Sequence, residues 1–407
     1  MTRGCRRFTG NVVILRQIMV HLPVYLDYNA TTPCDPAVVE AMLPYFSQKP
    51  GNAASHTHAY GWEAREAVEL AREQVASLLH CEAGEIIFTS GATESINLAL
   101  KGVFELYARK GNHVITSNAE HKAVLDCCAE LERRGAEVTY LPVNSQGLID
   151  PQQLEAALRP HTILVSILYA NNETGVIQPI RQLAGLTRQK GVLFMTDATQ
   201  AMGKIPLDVQ EEEIDLLAFS AHKLYGPKGS GGLYLRRKSP RVRLYPQMHG
   251  GGHEKGFRSG TLNVPGIVGL GAACVQCMEQ MEADSRRLRQ WRDAMEKKLM
   301  ASGNVQRNGH PDKRLPHVSN LAFRQVSGTA LMSALSSDLA VSSGSACTSA
   351  RPEPSHVLMA MGLDEELARA SLRISLGRMT TQEEVEYATE KIIRTLPALQ
   401  RTHITET

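Results

Sequence analysis

The stretch "VLFMTDATQAMGKIPLDVQEEEIDLLAFSAHKLYGPKG", Val192 to Gly229, decides the architecture. Its two apolar runs, "VLFMTDA" and "LLAFSA", read as strands, and each breaks off into a polar turn. The same rhythm runs upstream. "EIIFTS" precedes the helical "TESINLALKGVFELYARK", "HVITS" precedes "KAVLDCCAELERRG", and "EVTYLPV" and "TILVSILYA" follow. Strands alternating with helices imply an α/β fold whose mainly parallel sheet is covered by helices on both faces. Ligands in such folds gather at the carboxyl ends of strands, where Asp197 and Lys223 both fall.

Downstream, "KGSGGLYLRRKSPRVRLY" reads as a turn with a short strand pair. Its basic run, Arg236 to Arg243, belongs on a solvated hairpin, because no aromatic residues interleave it as in a nucleic-acid surface. Near Gly266 a long helical segment leads out of the sheet domain. Beyond it, "VSNLAFR", "GTALMSALSSD", "ASLRISLG" and the last helix, "TQEEVEYATEKIIRTLPALQ", form a smaller α/β unit that the amino-terminal segment joins.

At 407 residues the chain exceeds the roughly 250 to 300 at which single cores stop growing, so more than one domain is expected. Forty-four basic and 42 acidic residues leave a net charge of +2, too little to hold nucleic acid or an anionic membrane by electrostatics alone. No apolar run approaches the ~20 residues of a membrane-spanning helix. Eight scattered cysteines fit a reducing compartment and point to the cytoplasm. The arginine-rich, acid-free start "MTRGCRRFTGNVVILRQIMVHL" fits an organelle transit peptide, hence an organelle matrix, or an extension ahead of Met19.

Several segments carry candidate chemistry. In "FTSGATES", Phe88 to Ser95, a strand ends in a Ser-Gly turn, and the backbone N–H groups with Thr93 either hold a phosphate or cap a helix. Asp197 in "TDATQAMGKIPLD" either pairs with a protonated pyridine nitrogen or caps a turn, and Gln200 can reach a ring oxygen. Lys223 in "SAHKLYGPKG" sits where an amine becomes partly desolvated and forms an imine with an aldehyde, with Ser220 and His222 beside it for phosphate. His121 in "SNAEHKAVLD" stacks on an aromatic ring, moves a proton or caps a helix.

The segment "VSSGSACTSARPEPS", Val341 to Ser355, surrounds Cys347 with small polar residues and so presents an exposed thiol. No metal is expected: "CVQC", Cys274 to Cys277, lacks a second pair of ligands, and the glycines around His249 and His253 fit a loop.

Taken together, these segments resemble the pyridoxal-phosphate cysteine desulfurases of the IscS/NifS type, within the class V aminotransferase-like group. The likeness runs from "VYLDYNATTPCDP" through "GNAASHTHAYGWEAREAVELAREQVASLL", "NNETGVIQPI", "AHKLYGPKGSGGLY", "MHGGGHEKGFRSGT" and "SSGSACTSARPEPSHVL" to "SLRISLGRMTTQEEVEY". It implies a fold type I pyridoxal-phosphate homodimer. The large cofactor-binding domain would span 33–280, with 1–32 and 281–407 forming a small α/β domain that carries a mobile cysteine loop at about 341–355.

By position, the resemblance implies that Lys223 holds pyridoxal 5'-phosphate as a covalent imine. Ala92, Thr93, Ser220 and His222 then bind the phosphate, Asp197 the ring nitrogen, Gln200 the phenolic oxygen and His121 the ring face. Thr261 reaches the phosphate of a partner subunit; Asn172, also a cofactor contact, and Arg373 recognise the substrate carboxylate. The implied reaction converts L-cysteine to L-alanine, with Lys223 removing the Cα proton, Cys347 keeping the sulfur as a persulfide and His121 accepting the thiol proton. A sulfur-acceptor protein is implied, an iron–sulfur scaffold or sulfur carrier, with tRNA thiolation and other relays open. The chain stops after "LPALQRTHITET", short of the tail that engages the scaffold in the family, which leaves the acceptor open. The alternative is a selenocysteine lyase or another class V lyase or aminotransferase.

Overall fold

The computed structural model describes residues 20–301, 303–343 and 353–406, with side chains through residue 400. Cys347 and most of the segment expected to carry it lie outside the described residues, as do residues 1–19.

Seven strands form the main sheet, in the spatial order Ile86–Thr89, Gly231–Leu235, Leu216–Ser220, Leu193–Asp197, Thr162–Ser166, His113–Ser117 and Glu137–Leu141. Gly231–Leu235 runs antiparallel to both neighbours, and the remaining pairs are parallel. The α/β expectation therefore holds. Side chains alternate between two cores: Phe88, Phe194, Phe219 and Tyr234 join one, and Leu193, Met195, Leu216 and Leu233 the other. That two-residue period with both faces apolar is why these runs carry no amphipathic signature.

The basic hairpin is corrected. Gly231–Leu235 is a buried strand of the main sheet, and residues 236–243 contain no strand. Arg236 is buried, donating to the carbonyls of Val209 at 2.7 Å and Ile214 at 2.9 Å and pairing with Asp215 at 3.4 Å. Its partners are more than twenty residues distant, which a local charge run cannot reveal.

The helix Val264–Ala301 links two regions. Val264, Ile267, Leu270, Cys274 and Cys277 pack in a core of the main sheet, whereas Leu288, Met295 and Leu299 join a third cluster with Val24, Leu26, Leu321 and Ile374. Its first half lies tightly against the helix Ala59–Leu79: a Cβ on Gly271 would stand 2.7 Å from Ala71 Cα, so only glycine permits this approach. The third cluster covers a four-stranded antiparallel sheet, ordered Ser342–Ser343, Ser371–Ser375, Val318–Phe323 and Val305–Arg307. Near it, Val24–Tyr25 pairs with Leu339–Ala340, and Asp27 bridges to Ser375. This pairing delivers residues 27–32 to the gap between the two sheets.

The open edge of the main sheet is closed by side chains. Arg72 donates through Nη1 and Nη2 to the Glu254 carboxylate at 2.8 Å each, both residues being buried. Arg72 also donates to the Ile86 carbonyl at 2.9 Å, and Glu254 accepts the Phe88 N–H at 2.8 Å. Removing one partner of a buried pair leaves an uncompensated charge. Glu254→Ala is therefore expected to lose about 3–5 kcal/mol of stability, read from urea denaturation; an unchanged midpoint would contradict this account of the edge.

Candidate functional site

At the carboxyl ends of the main-sheet strands lies a cavity of about 690 Å³. Ala92, Thr93, His121, Asn172, Asp197, Gln200, Ser220, His222, Lys223 and Arg373 all line it, so segments separated by up to 281 positions converge there. Thr261 is exposed and does not line it. Cys347 lies outside the described residues.

One end suits an anion. The helix Ala92–Leu106 begins after Gly91 with no side-chain cap on its first turn, leaving backbone N–H donors and the positive end of the helix dipole at the cavity. Gly91 has a φ of 153°, and a Cβ there would stand 3.4 Å from Ser220 Oγ. Gly231 is packed closer still, its Cβ position falling 2.6 Å from Gly91 Cα. His222 Nδ1 lies 3.1 Å from Thr31 Oγ1, and burial, reinforced by the charges of Lys223 and Lys228, lowers its pKa to about 4. A neutral ring that accepts the Thr31 proton at Nδ1 keeps an Nε2–H to donate.

Beside this end stands the amine. Lys223 follows the strand Leu216–Ser220 and donates to the carbonyls of Asn29 and Ala30 at 2.6 Å each. Burial, then the charge of Arg373, brings its pKa down to about 8. Lys228 also lines the cavity but is exposed. Lys223 is thus the amine whose surroundings favour the nucleophilic, uncharged form.

Asp197 closes the neighbouring strand, Leu193–Asp197, and its Oδ1 accepts the Thr199 N–H at 3.0 Å. Gln200 donates to the Asn29 carbonyl at 3.0 Å. His121 caps the helix Lys122–Arg133: its Nδ1 accepts the Ala123 N–H at 3.1 Å. In the neutral ring the proton then sits on Nε2, so His121 is a donor here and must give up its cap to take a proton on Nδ1. Behind it, fully buried Glu120 accepts from Ser117 Oγ at 2.8 Å and Leu168 N at 2.9 Å. Desolvation pushes the Glu120 pKa up to about 8, with the nearby Asp197 charge adding to the shift.

Arg373, on the strand Ser371–Ser375, donates to the Asn172 carbonyl at 3.0 Å, to Asp27 at 2.6 Å and to Ser342 Oγ at 2.9 Å. Asn172 meets Arg373 through its backbone. Sequence reasoning passed over Asp27, Asn29, Thr31 and Glu120. For Asp27, Asn29 and Thr31 the only local signal was a polar "DYNATT" after a short strand, since their partners lie far away in the chain; Glu120, which bonds Ser117 three residues away as well as distant Leu168, gave no signal of its burial.

An uncapped helix start with a glycine cradle, a desolvated amine and a carboxylate on the adjacent strand make a donor set that fits pyridoxal phosphate: anion, aldehyde and ring nitrogen each have a matching group. The class-V aminotransferase family matches residues 24–388. A cysteine desulfurase IscS from Anaeromyxobacter sp. (strain K) is 55% identical over 368 residues, covering 90% of this chain and 91% of the relative. Among solved structures, a NifS-like protein superposes with a TM-score of 0.87 at 40% identity, covering 93% of this chain and all of that one. SspA in complex with cysteine does so with a TM-score of 0.77 at 40% identity, over 86% and 98% of the two chains. The chain belongs to the class-V aminotransferase family, among the pyridoxal-phosphate-dependent cysteine desulfurases of IscS/NifS type.

Proposed function

We propose that this protein takes the sulfur from L-cysteine, releases L-alanine and holds the sulfur as a persulfide on Cys347, for delivery to iron–sulfur cluster assembly. The observation that carries the reading is the partly desolvated Lys223 amine, set between the uncapped helix start and Asp197 in the cavity. Overall, a Cys347 thiol and L-cysteine give a Cys347 persulfide and L-alanine: the cysteine C–S bond and the Cys347 S–H bond break, an S–S bond and the methyl C–H bond of alanine form, and no external oxidant is consumed.

Bound at Lys223, pyridoxal phosphate supplies an electron sink for the pair left at Cα when its proton departs. The Ala92–Leu106 helix start, Thr93, Ser220 and His222 hold the phosphate. Asp197 would keep the ring nitrogen protonated, Gln200 would hold the phenolic oxygen and His121 would lie against the ring. Lys223, with a pKa of about 8, removes the Cα proton near neutral pH and returns one. Arg373 orients the substrate through its carboxylate, which takes over from Asp27 at the guanidinium.

A homodimer completes the site, with Thr261 reaching the partner's cofactor; exposed Phe46, Tyr60 and Trp62 offer apolar surface for subunit contact. The chain divides into 33–280 and a smaller unit of 1–32 with 281–407; the passage of the helix Val264–Ala301 from one apolar cluster to another supports this reading, while Leu315, Val318, Val357 and Leu358 of the smaller unit pack back into the main-sheet core. A protein sulfur acceptor and a cytoplasmic setting complete the reading. Six free cysteines among the described residues accord with a reducing compartment.

Three outcomes test it. Stopped-flow capture of pyridoxal phosphate by the cofactor-free protein should accelerate with pH around a midpoint near 8, since Lys223 is nucleophilic only when unprotonated; a midpoint near the ordinary lysine value of ~10.4 would contradict it. Cys347→Ser should keep cofactor absorbance yet form almost no alanine, and normal turnover would refute the persulfide role. Arg373→Ala should raise KM for cysteine about tenfold or more, the worth of a lost charge-assisted hydrogen bond; an unchanged KM would remove Arg373 from substrate binding.

A further inference from the structure

Lys204, seven residues after Asp197, is half-buried as a residue, but its Nζ is shut off from solvent and has no hydrogen-bond partner among the described residues. The Tyr225 ring lies under it, with its centroid 3.9 Å from Nζ. Burial lowers its pKa to about 8.

His317, 1% exposed, places Nε2 2.9 Å from Asn29 Oδ1. The direction of this bond is fixed by its neighbours. Asn29 donates its amide nitrogen to the Asn172 carbonyl at 3.0 Å, so Oδ1 faces His317 and must accept. Nε2 therefore carries the proton. Burial holds the ring neutral, and Nδ1 is left as a buried lone pair without a partner.

Lys204 and His317 both line a small void of about 10 Å³, together with Tyr225, Asp284 and Ser285. A void of this size, with several polar groups on its wall, suits one water molecule.

We propose that Lys204 is a positioning residue for Lys223, acting through a single trapped water and His317. The water accepts from Lys204 Nζ, donates one proton to His317 Nδ1 and turns the other toward the Asp284 carboxylate. The donors then run in one direction from Lys204 through water and His317 to Asn29. Asn29 is the junction that matters for chemistry, because its carbonyl receives Lys223 Nζ at 2.6 Å and Gln200 Nε2 at 3.0 Å. With the other His317 tautomer, two lone pairs would oppose each other at Asn29 Oδ1 and the junction would loosen.

The proposal rests on the reading of Lys223 as the reacting amine. Its test is the tautomer of His317, read by NMR in protein labelled with 15N-histidine and assigned through His317→Gln. Wild-type protein should show a neutral ring protonated on Nε2; an Nδ1–H ring or an imidazolium near pH 7 overturns the relay, whatever any variant does. Lys204→Met should lose that single tautomer and form alanine about tenfold more slowly or worse, with pyridoxal phosphate still bound. Lys204→Gln, which keeps a donor without the charge, should restore both. A Met variant with wild-type tautomer and rate, or a Gln variant as impaired as the Met one, overturns the proposal. Should the wild-type holoenzyme lack imine absorbance, the reading of Lys223 falls instead.

Discussion

The site depends on one amine held partly out of water. The carbonyls of Asn29 and Ala30 accept from Lys223 and favour its ammonium form, whereas burial and the Arg373 charge oppose it. The second pair of effects prevails, leaving a lysine that can lose and regain a proton near neutral pH. The two carbonyls belong to a segment 194 and 193 residues away, brought in by the pairing of Val24–Tyr25 with Leu339–Ala340. The nucleophile is thus made by packing the smaller sheet against the larger one.

From that constraint the layout follows along the main sheet. Strands Ile86–Thr89 and Leu216–Ser220 end at the anion cradle and at Lys223, while the next strand, Leu193–Asp197, ends at the carboxylate. Asn172 and His121 follow the strands beyond it. Strand order therefore sorts charge across the cavity, cationic where a phosphate fits and anionic where a ring nitrogen fits. Arg373 comes from the smaller sheet and meets Asp27 and Asn172 across the gap. The grip proposed for substrate lies where the two sheets face each other.

Much of this was legible because fully apolar runs ending in polar turns mark buried parallel strands, and residues at those turns become neighbours. Asp197, Lys223, Thr93 and His121 were found that way. Asn29, Asp27 and His317 were not, since their roles arise from contacts such as Asp27 with Arg373, 346 positions apart. Arg236 misled for a second reason: a long cationic side chain reads as solvated unless the burial of its tip is known. For His121 the sequence left stacking, proton transfer and a helix cap side by side, and the Ala123 N–H accepted at Nδ1 shows that the ring does cap its helix.

The most direct test of the central claim locates the cofactor bond. Purified holoenzyme is reduced with borohydride, digested and mapped by mass spectrometry for the pyridoxyl group. A single modification on Lys223 is the predicted result. Label on Lys228 or Lys204, or none at all, would show that the desolvated amine is not where the chemistry begins.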